Sequence, residues 1–298
     1  MASTPSPLRY PGGKANIVSM VSEIIKDNKL CRGHYAEPYA GGGGLALSLL
    51  FKGHVHYIHL NDLDRSIWCF WNAILKNTEE FISRIEKVDI TLDEWYRQRK
   101  IQKDRDNQNN LDVAFSTFFL NRTNRSGVIL KAGVIGGLEQ GGKYKLDCRF
   151  NKQGLIDKIL RIKKYKNRIN LYNLDAIDFI KATRGELPAK TLYCIDPPYF
   201  VKGSTLYTNY YNPEDHKKIA SLLNRLGKPW ILTYDDAPEI QELYKSKRQY
   251  RFNLNYSAGV KRVGTELLIA SNKVSIPHDL NVSKISFQAE KDEIFRAM

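Results

Sequence analysis

Four consecutive residues, Asp196-Pro197-Pro198-Tyr199, set a carboxylate, two prolines and an aromatic ring directly after the apolar run Thr191–Ile195. At ordinary residue frequencies this tetrad arises by chance in about one such chain per thousand. Proline fixes φ and carries no N–H, so the turn is stiff and its carbonyls stay free. The Asp196 carboxylate and the Pro197 carbonyl then make a pair of acceptors, and Tyr199 offers a plate for a planar ring. Two acceptors beside a stacking surface suit an aromatic amine, because they hold both of its hydrogens and favour sp³ character at nitrogen. The competing explanation is a proline turn that ends a strand and is capped by a carboxylate.

For the tetrad to meet a ligand, it should lie beyond the carboxyl end of a strand in an open α/β sheet. The rest of the chain predicts such a sheet. Tyr35–Tyr39 reads as a short strand, followed by Gly41–Gly44, an apolar helix over Leu45–Phe51, an alternating strand over Val55–Leu60 and the acid Asp62. Asp64 is placed to cap the next helix. Further strands are predicted at Arg168–Tyr172, Thr191–Ile195, Trp230–Thr233, Tyr250–Asn255 and Glu266–Ala270, with helices over Ala176–Lys181, Pro213–Leu226 and Glu239–Tyr244. Between the two parts the pattern changes. Helical segments at Ile67–Leu75, Leu92–Lys103 and Leu111–Leu120 precede a long basic loop from Arg122 to Arg149, and a basic helix, Leu155–Lys164, follows it. The expected fold is a doubly wound, Rossmann-like α/β sheet over 1–64 and 165–276. It carries an inserted, mainly helical module over 65–164 and a peripheral tail over 277–298.

Composition narrows the partner. The 298 residues carry 46 Lys+Arg against 32 Asp+Glu, a net charge of +14, which points to nucleic acid or an anionic membrane surface. No apolar run approaches the roughly 18 residues that span a bilayer, and no secretory signal is visible. The four cysteines lie far apart without a CxxC pair, so the expected home is a reducing cytoplasm, with neither disulfides nor zinc. His54, His56 and His59 lie near the second strand, but a third metal ligand would have to come from elsewhere, and no metal is expected.

Other motifs are weaker singly. A glycine run fits any tight turn, and Asp62 and Asp175 could each be helix caps. Tyr10-Pro11-Gly12-Gly13-Lys14 could be a surface turn; it is not a Walker loop, because Ala15 stands where Ser or Thr is required. Together and in this order, however, the tetrad, Tyr10–Lys14 and Glu37-Pro38-Tyr39-Ala40-Gly41-Gly42-Gly43 resemble the Dam-like DNA adenine-specific amino-methyltransferase family in its alpha motif order. The resemblance covers about Leu8 to Asn272.

The resemblance implies S-adenosylmethionine as methyl donor and double-stranded DNA as substrate. It places Tyr10, Gly12, Gly13 and Lys14 at the cofactor, Tyr39 and Gly41 under its methionine portion, Asp62 on its ribose and Asp175 near its adenine. Asp196, also beside the cofactor, and Pro197 would hold the target amine, and Tyr199 would stack on a base rotated out of the duplex. In the basic loop, Arg122 would contact a phosphate. Cations interleaved with glycine and amides suit both phosphate contact and base reading, which makes Asn124, Arg125, Lys131 and Lys143 further DNA candidates. After Gly127 the sequence departs from GATC-reading members: Val128-Ile129-Leu130-Lys131 and a Gly136-Gly137 turn replace their arginine and proline loop. A monomer is expected, with a cognate restriction endonuclease as a candidate partner. The rival readings are methylation of a cytosine amine or of RNA adenine, and, in another class, a non-enzymatic DNA-binding protein.

Overall fold

A computed structural model describes residues 4–9, 14–200, 211–256 and 262–285. Eight strands form one sheet: β1 (His34–Glu37), β2 (Tyr57–Asn61), β3 (Ile169–Tyr172), β4 (Thr191–Ile195), β5 (Trp230–Asp235), β6 (Arg248–Tyr256), β7 (Arg262–Ala270) and β8 (Ser283–Lys284). Their order is β3-β2-β1-β4-β5-β7-β6-β8. β1 to β5 run parallel, and β7 enters antiparallel between β5 and β6. Strand order therefore reverses at β1. The crevice between the carboxyl ends of β1 and β4 is the switch point at which doubly wound sheets bind ligands.

Side chains alternate across the sheet, as period-two geometry requires. Leu192 and Cys194 of β4 enter the core on one face, and Tyr193 and Ile195 enter the core on the other. The first face is covered by α1 (Val18–Asp27), α2 (Gly44–Phe51) and α3 (Arg65–Lys76). In α1, Val18, Val21, Ser22 and Ile25 recur at helical spacing and are buried. The inserted module adds α4 (Thr78–Lys87), α5 (Leu92–Lys103), α6 (Asn110–Thr123) and α7 (Lys152–Lys163). The second face is covered by α8 (Ala176–Glu186), α9 (Pro213–Arg225) and α10 (Pro238–Leu243).

The module is mainly helical, and it shares a core with the sheet. Phe70 of α3 stacks on Phe118 of α6 at 6.0 Å, within a buried cluster that also holds Leu45 and Leu60. Burying each such ring is worth about 2–3 kcal/mol, which ties module and sheet into one folding unit. Two elements differ from expectation. α4 forms where no helix was predicted, because Phe81 and Ile85, one turn apart, are both fully buried. The tail is also not wholly peripheral. Ser283 and Lys284 pair with Arg251 and Tyr250 and so cover part of an otherwise open strand edge. Among the described residues no helix is long and apolar enough to cross a membrane.

Candidate active site

The two motifs that flank the switch point are held by side chains two and three elements away. Asn61, at the end of β2, is fully buried. Its amide donates to the carbonyls of Pro38 (2.9 Å) and Leu174 (3.0 Å), and its oxygen accepts from the Leu174 N–H (3.0 Å). One residue thus pins the chain after β1 to the chain after β3. Asp64 caps α3 as expected, accepting from the Ser66 N–H at 2.9 Å.

The loop after β1 turns through Gly41 (φ 46°) and Gly43 (φ 57°), a region that favours glycine. A Cβ on Gly43 would lie 2.8 Å from the Trp71 ring, whose indole N–H donates to the Gly41 carbonyl at 2.9 Å. Asp62 closes the loop from the other side. Its Oδ2 accepts from the Gly41 N–H (2.8 Å) and its Oδ1 from the Asp64 N–H (2.9 Å). Burial, with the Asp64 charge adding, pushes its carboxyl up to about 7 against the pull of those two N–H groups. Tyr39 lies beside the loop with its hydroxyl 2.6 Å from that of Tyr211. Asp175 caps α8 by accepting from the Ile177 N–H at 2.8 Å, so one of its oxygens already has a backbone donor.

Across the crevice, β4 delivers Asp196, with 23% of its side chain exposed. The Thr233 hydroxyl donates to Asp196 Oδ1 at 2.8 Å, and Lys14 Nζ lies 3.2 Å from the same oxygen. Lys14 also reaches Glu266 Oε2 (2.8 Å) and the Tyr199 hydroxyl (3.4 Å), while that hydroxyl donates to Glu266 Oε1 (2.7 Å). Burial would push the Lys14 ammonium down, but Asp196 and Glu266 outweigh it and hold the group above the ordinary lysine value. The Asp196 carboxyl is raised by burial, with Lys14 and Thr233 pulling it back and Glu266 pushing with burial. Glu37, bonded to the Tyr35 hydroxyl at 2.9 Å, is pushed up to about 8, chiefly by burial.

Several expected roles look different in this geometry. Lys14, expected at the cofactor, has three N–H groups with acceptors in Asp196, Glu266 and Tyr199, and none remains for the donor molecule. Tyr199, expected as an open stacking plate, is 6% exposed, with its hydroxyl tied to Glu266. Asn124, expected at DNA, is fully buried. It accepts from the Trp95 indole N–H at 2.7 Å and donates to the carbonyls of Val128 and Ile129, so it builds the loop and reads nothing. Arg122 donates to the carbonyls of Arg149 (2.6 Å) and Pro7 (3.4 Å). Arg125, Lys131 and Lys143 are exposed on the loop. Tyr10, Gly12 and Gly13 lie outside the described residues. The ring nitrogens of His59 bond to His34 (2.9 Å) and Tyr172 (3.2 Å). Glu266 and Thr233 carried only strand propensity in the sequence, and nothing local marked them as partners of Asp196.

The backbone of Arg9 fastens the N-terminal segment to the insert. Asn121 accepts from the Arg9 N–H and donates to the Arg9 carbonyl, both at 2.7 Å. Gly127 (φ 78°) lies so close that a Cβ would come within 2.2 Å of that carbonyl. Gly127→Ala should therefore lower stability by about 2 kcal/mol through strain and displacement of Arg9. Thermal unfolding checks this, and an unchanged midpoint would mean the clamp yields freely.

A switch-point crevice with a glycine loop on one side and a strand-end acid on the other makes this a Rossmann-like nucleotide-ligand site. The D12 class N6 adenine-specific DNA methyltransferase family matches residues 10–258, and the chain belongs to it. It is an adenine-specific DNA methyltransferase, and the family's reaction implies S-adenosylmethionine as donor. It is 25% identical over 241 residues to the Type II methyltransferase M.MjaIII of Methanocaldococcus jannaschii, covering 74% of this chain and 80% of that protein. Among solved structures, PH1948 from Pyrococcus horikoshii aligns over 93% of this chain and 85% of its own at 9% identity, with TM-score 0.42. LPL1258 from Legionella pneumophila aligns over 87% and 85% at 12% identity, with TM-score 0.31.

Proposed function

We propose that the crevice holds S-adenosylmethionine on the β1 side and an adenine, turned out of duplex DNA, on the β4 side. The residues present fit that cofactor. The Asp62 carboxylate has lone pairs left to accept from two ribose hydroxyls, Gly41 and Gly43 keep the floor clear of side chains, and Tyr39 borders it. When bound, the cofactor supplies an activated methyl group on a sulfonium. Asp196 and the Pro197 carbonyl accept the two hydrogens of the adenine amine and orient its lone pair. Positive charge that grows on nitrogen meets an acceptor already fixed by Thr233 and Lys14, so little reorganisation is needed. Tyr199 borders the base pocket, with its hydroxyl anchored by Glu266. The observation that carries this reading is the strand-end position of Asp196, bonded from two sides and still partly open.

Residues 1–64 and 165–276 would form the catalytic part, and 65–164 would engage DNA through Arg122, Arg125, Lys131 and Lys143. The Type II relative supports a role in a restriction-modification pair. Methyl transfer from labelled cofactor to a duplex, against the same duplex with its adenines replaced, tests the reading. Label retained without adenine would overturn it.

Cofactor binding carries its own test. Asp62→Ala should raise the dissociation constant for S-adenosylmethionine by about 10- to 100-fold, the worth of hydrogen bonds to a charged group. Ribose hydroxyls donate best to the ionised carboxylate, and Asp62 titrates at about 7. Affinity should therefore rise as pH goes from 6 to 8, and binding at pH 6.5 should release a proton. Calorimetry on Asp62→Asn should show this dependence flattened; a profile equal to wild type would assign it to another group.

A further inference from the structure

Where the insert meets the N-terminal segment, four cations act on one another, and among the described residues no carboxylate pairs with them. Arg122 donates through Nε to the carbonyl of Arg149 and through Nη1 to that of Pro7. Lys158, on α7, donates to the carbonyl of Ser6 at 3.4 Å, and Arg9 donates through Nη1 to the carbonyl of Asn124 at 3.1 Å. Arg149 is exposed, with its guanidinium 5.9 Å from the centre of the Tyr144 ring. Three segments far apart in sequence, 6–9, 122–124 and 149–158, are thus stitched together around like charges.

We propose that Arg9, Arg122, Arg149 and Lys158 form a clamp for one phosphate group of the DNA backbone. Arg122 is expected at a phosphate from the family resemblance, and Arg149 belongs to the same basic loop, whose cations suit phosphate contact; Arg9 and Lys158 carry no such expectation. The cluster is costly as it stands. Burial, with Arg9 and Arg149 adding, lowers the Arg122 guanidinium to about 10, and Lys158 and Arg9 are lowered by burial and by their cationic neighbours. Among the described residues none of the four has an ion-pair partner. Carbonyl oxygens compensate part of the charge and also aim the side chains, since each uses only some of the available N–H donors. An arginine presents five such donors in a fixed fork, which suits a tetrahedral oxyanion. Arg122 and Arg149 bound the loop that carries the exposed Arg125, Lys131 and Lys143, so a duplex on that loop would have its backbone within reach of the clamp.

The proposal rests on the DNA-methylating reading only for the source of the anion, and two measurements on the full-length protein keep the two apart. The first is duplex binding by fluorescence anisotropy across sodium chloride concentrations. Arg149→Ala/Lys158→Ala should weaken binding by about 10- to 100-fold at 0.1 M salt and reduce the log–log slope by about one, the worth of a single phosphate contact. The second is thermal unfolding with sodium sulfate against chloride at equal ionic strength. Sulfate should stabilise wild type specifically. Arg149→Glu, which supplies the missing counter-charge internally, should match or exceed wild-type stability without sulfate and lose the sulfate increment. An unchanged salt slope in the double variant overturns the clamp, even if turnover falls. A sulfate effect with an unchanged slope reassigns the site to a free oxyanion and overturns the DNA assignment. Should wild type bind duplex with the expected slope yet methylate none, the catalytic reading fails and the clamp stands.

Discussion

Asp196→Ala should lower the rate of methyl transfer by about 10²–10³-fold or more while leaving the fold intact. Loss of a single preorganised partner to developing charge has effects of that size in other enzymes. Here the partner is a carboxylate at the end of a buried strand, fixed by the Thr233 hydroxyl and by Lys14. Removing it leaves Lys14 paired with Glu266, so no buried charge is orphaned and the unfolding midpoint should move little. Asp196→Asn is the sharper variant. It keeps the shape and one acceptor but removes the charge, and its amide must turn one end toward Lys14. Single-turnover methylation at saturating duplex and cofactor reads the chemical step alone. A rate within a few-fold of wild type in either variant would remove amine orientation from the role of Asp196.

Glu266→Ala should have the next largest effect, on stability and rate together. Glu266 is 1% exposed and accepts from both Lys14 and the Tyr199 hydroxyl. Truncating one partner of a buried pair costs up to about 3–5 kcal/mol. Lys14 keeps Asp196 at 3.2 Å, so the loss should fall at the lower end of that range, with the Tyr199 hydroxyl losing Glu266 as its acceptor. The rate should fall about 10- to 100-fold as Lys14 and Tyr199 lose their fixed positions beside Asp196. Glu266→Gln, which still offers an acceptor, should recover part of both losses. Lys14→Met/Glu266→Leu separates the two effects, since an apolar replacement of a whole buried pair is often neutral for stability. That double variant should melt near wild type and still transfer slowly. Recovery of rate along with stability would make Glu266 purely structural.

The contrast between Asp196 and Glu266 shows what the amino-acid sequence could reveal. Asp196, Gly41 and Asp62 sit in local motifs whose residue types state their chemistry, and the strands before them follow from apolar alternation. Glu266 lies in a strand that reads only as apolar, and its importance comes from Lys14, 252 residues away. Asn124 makes the same point. An amide in a basic loop looks like a base reader until Trp95, 29 residues earlier, turns out to bury it. α4 escaped notice because Phe81 and Ile85 give too short a stripe to announce a helix. Partnership across the fold, rather than local pattern, decided each of these cases.

The fastening of Arg9 to Asn121 and Gly127 has a thermodynamic consequence. Only five residue steps separate Arg9 from Lys14, a tether of at most about 18 Å when fully extended. One end is held by the module proposed to meet DNA and the other by the carboxylate proposed to meet the amine. A duplex that shifts the first anchor by more than the slack of this tether does work on the second, and linkage makes the effect reciprocal. Methyl donor and duplex should each alter the other's affinity by the same factor, and a sequence that seats poorly on the insert should lose turnover as well as binding. Discrimination among DNA sites would then be exercised partly after the complex has formed.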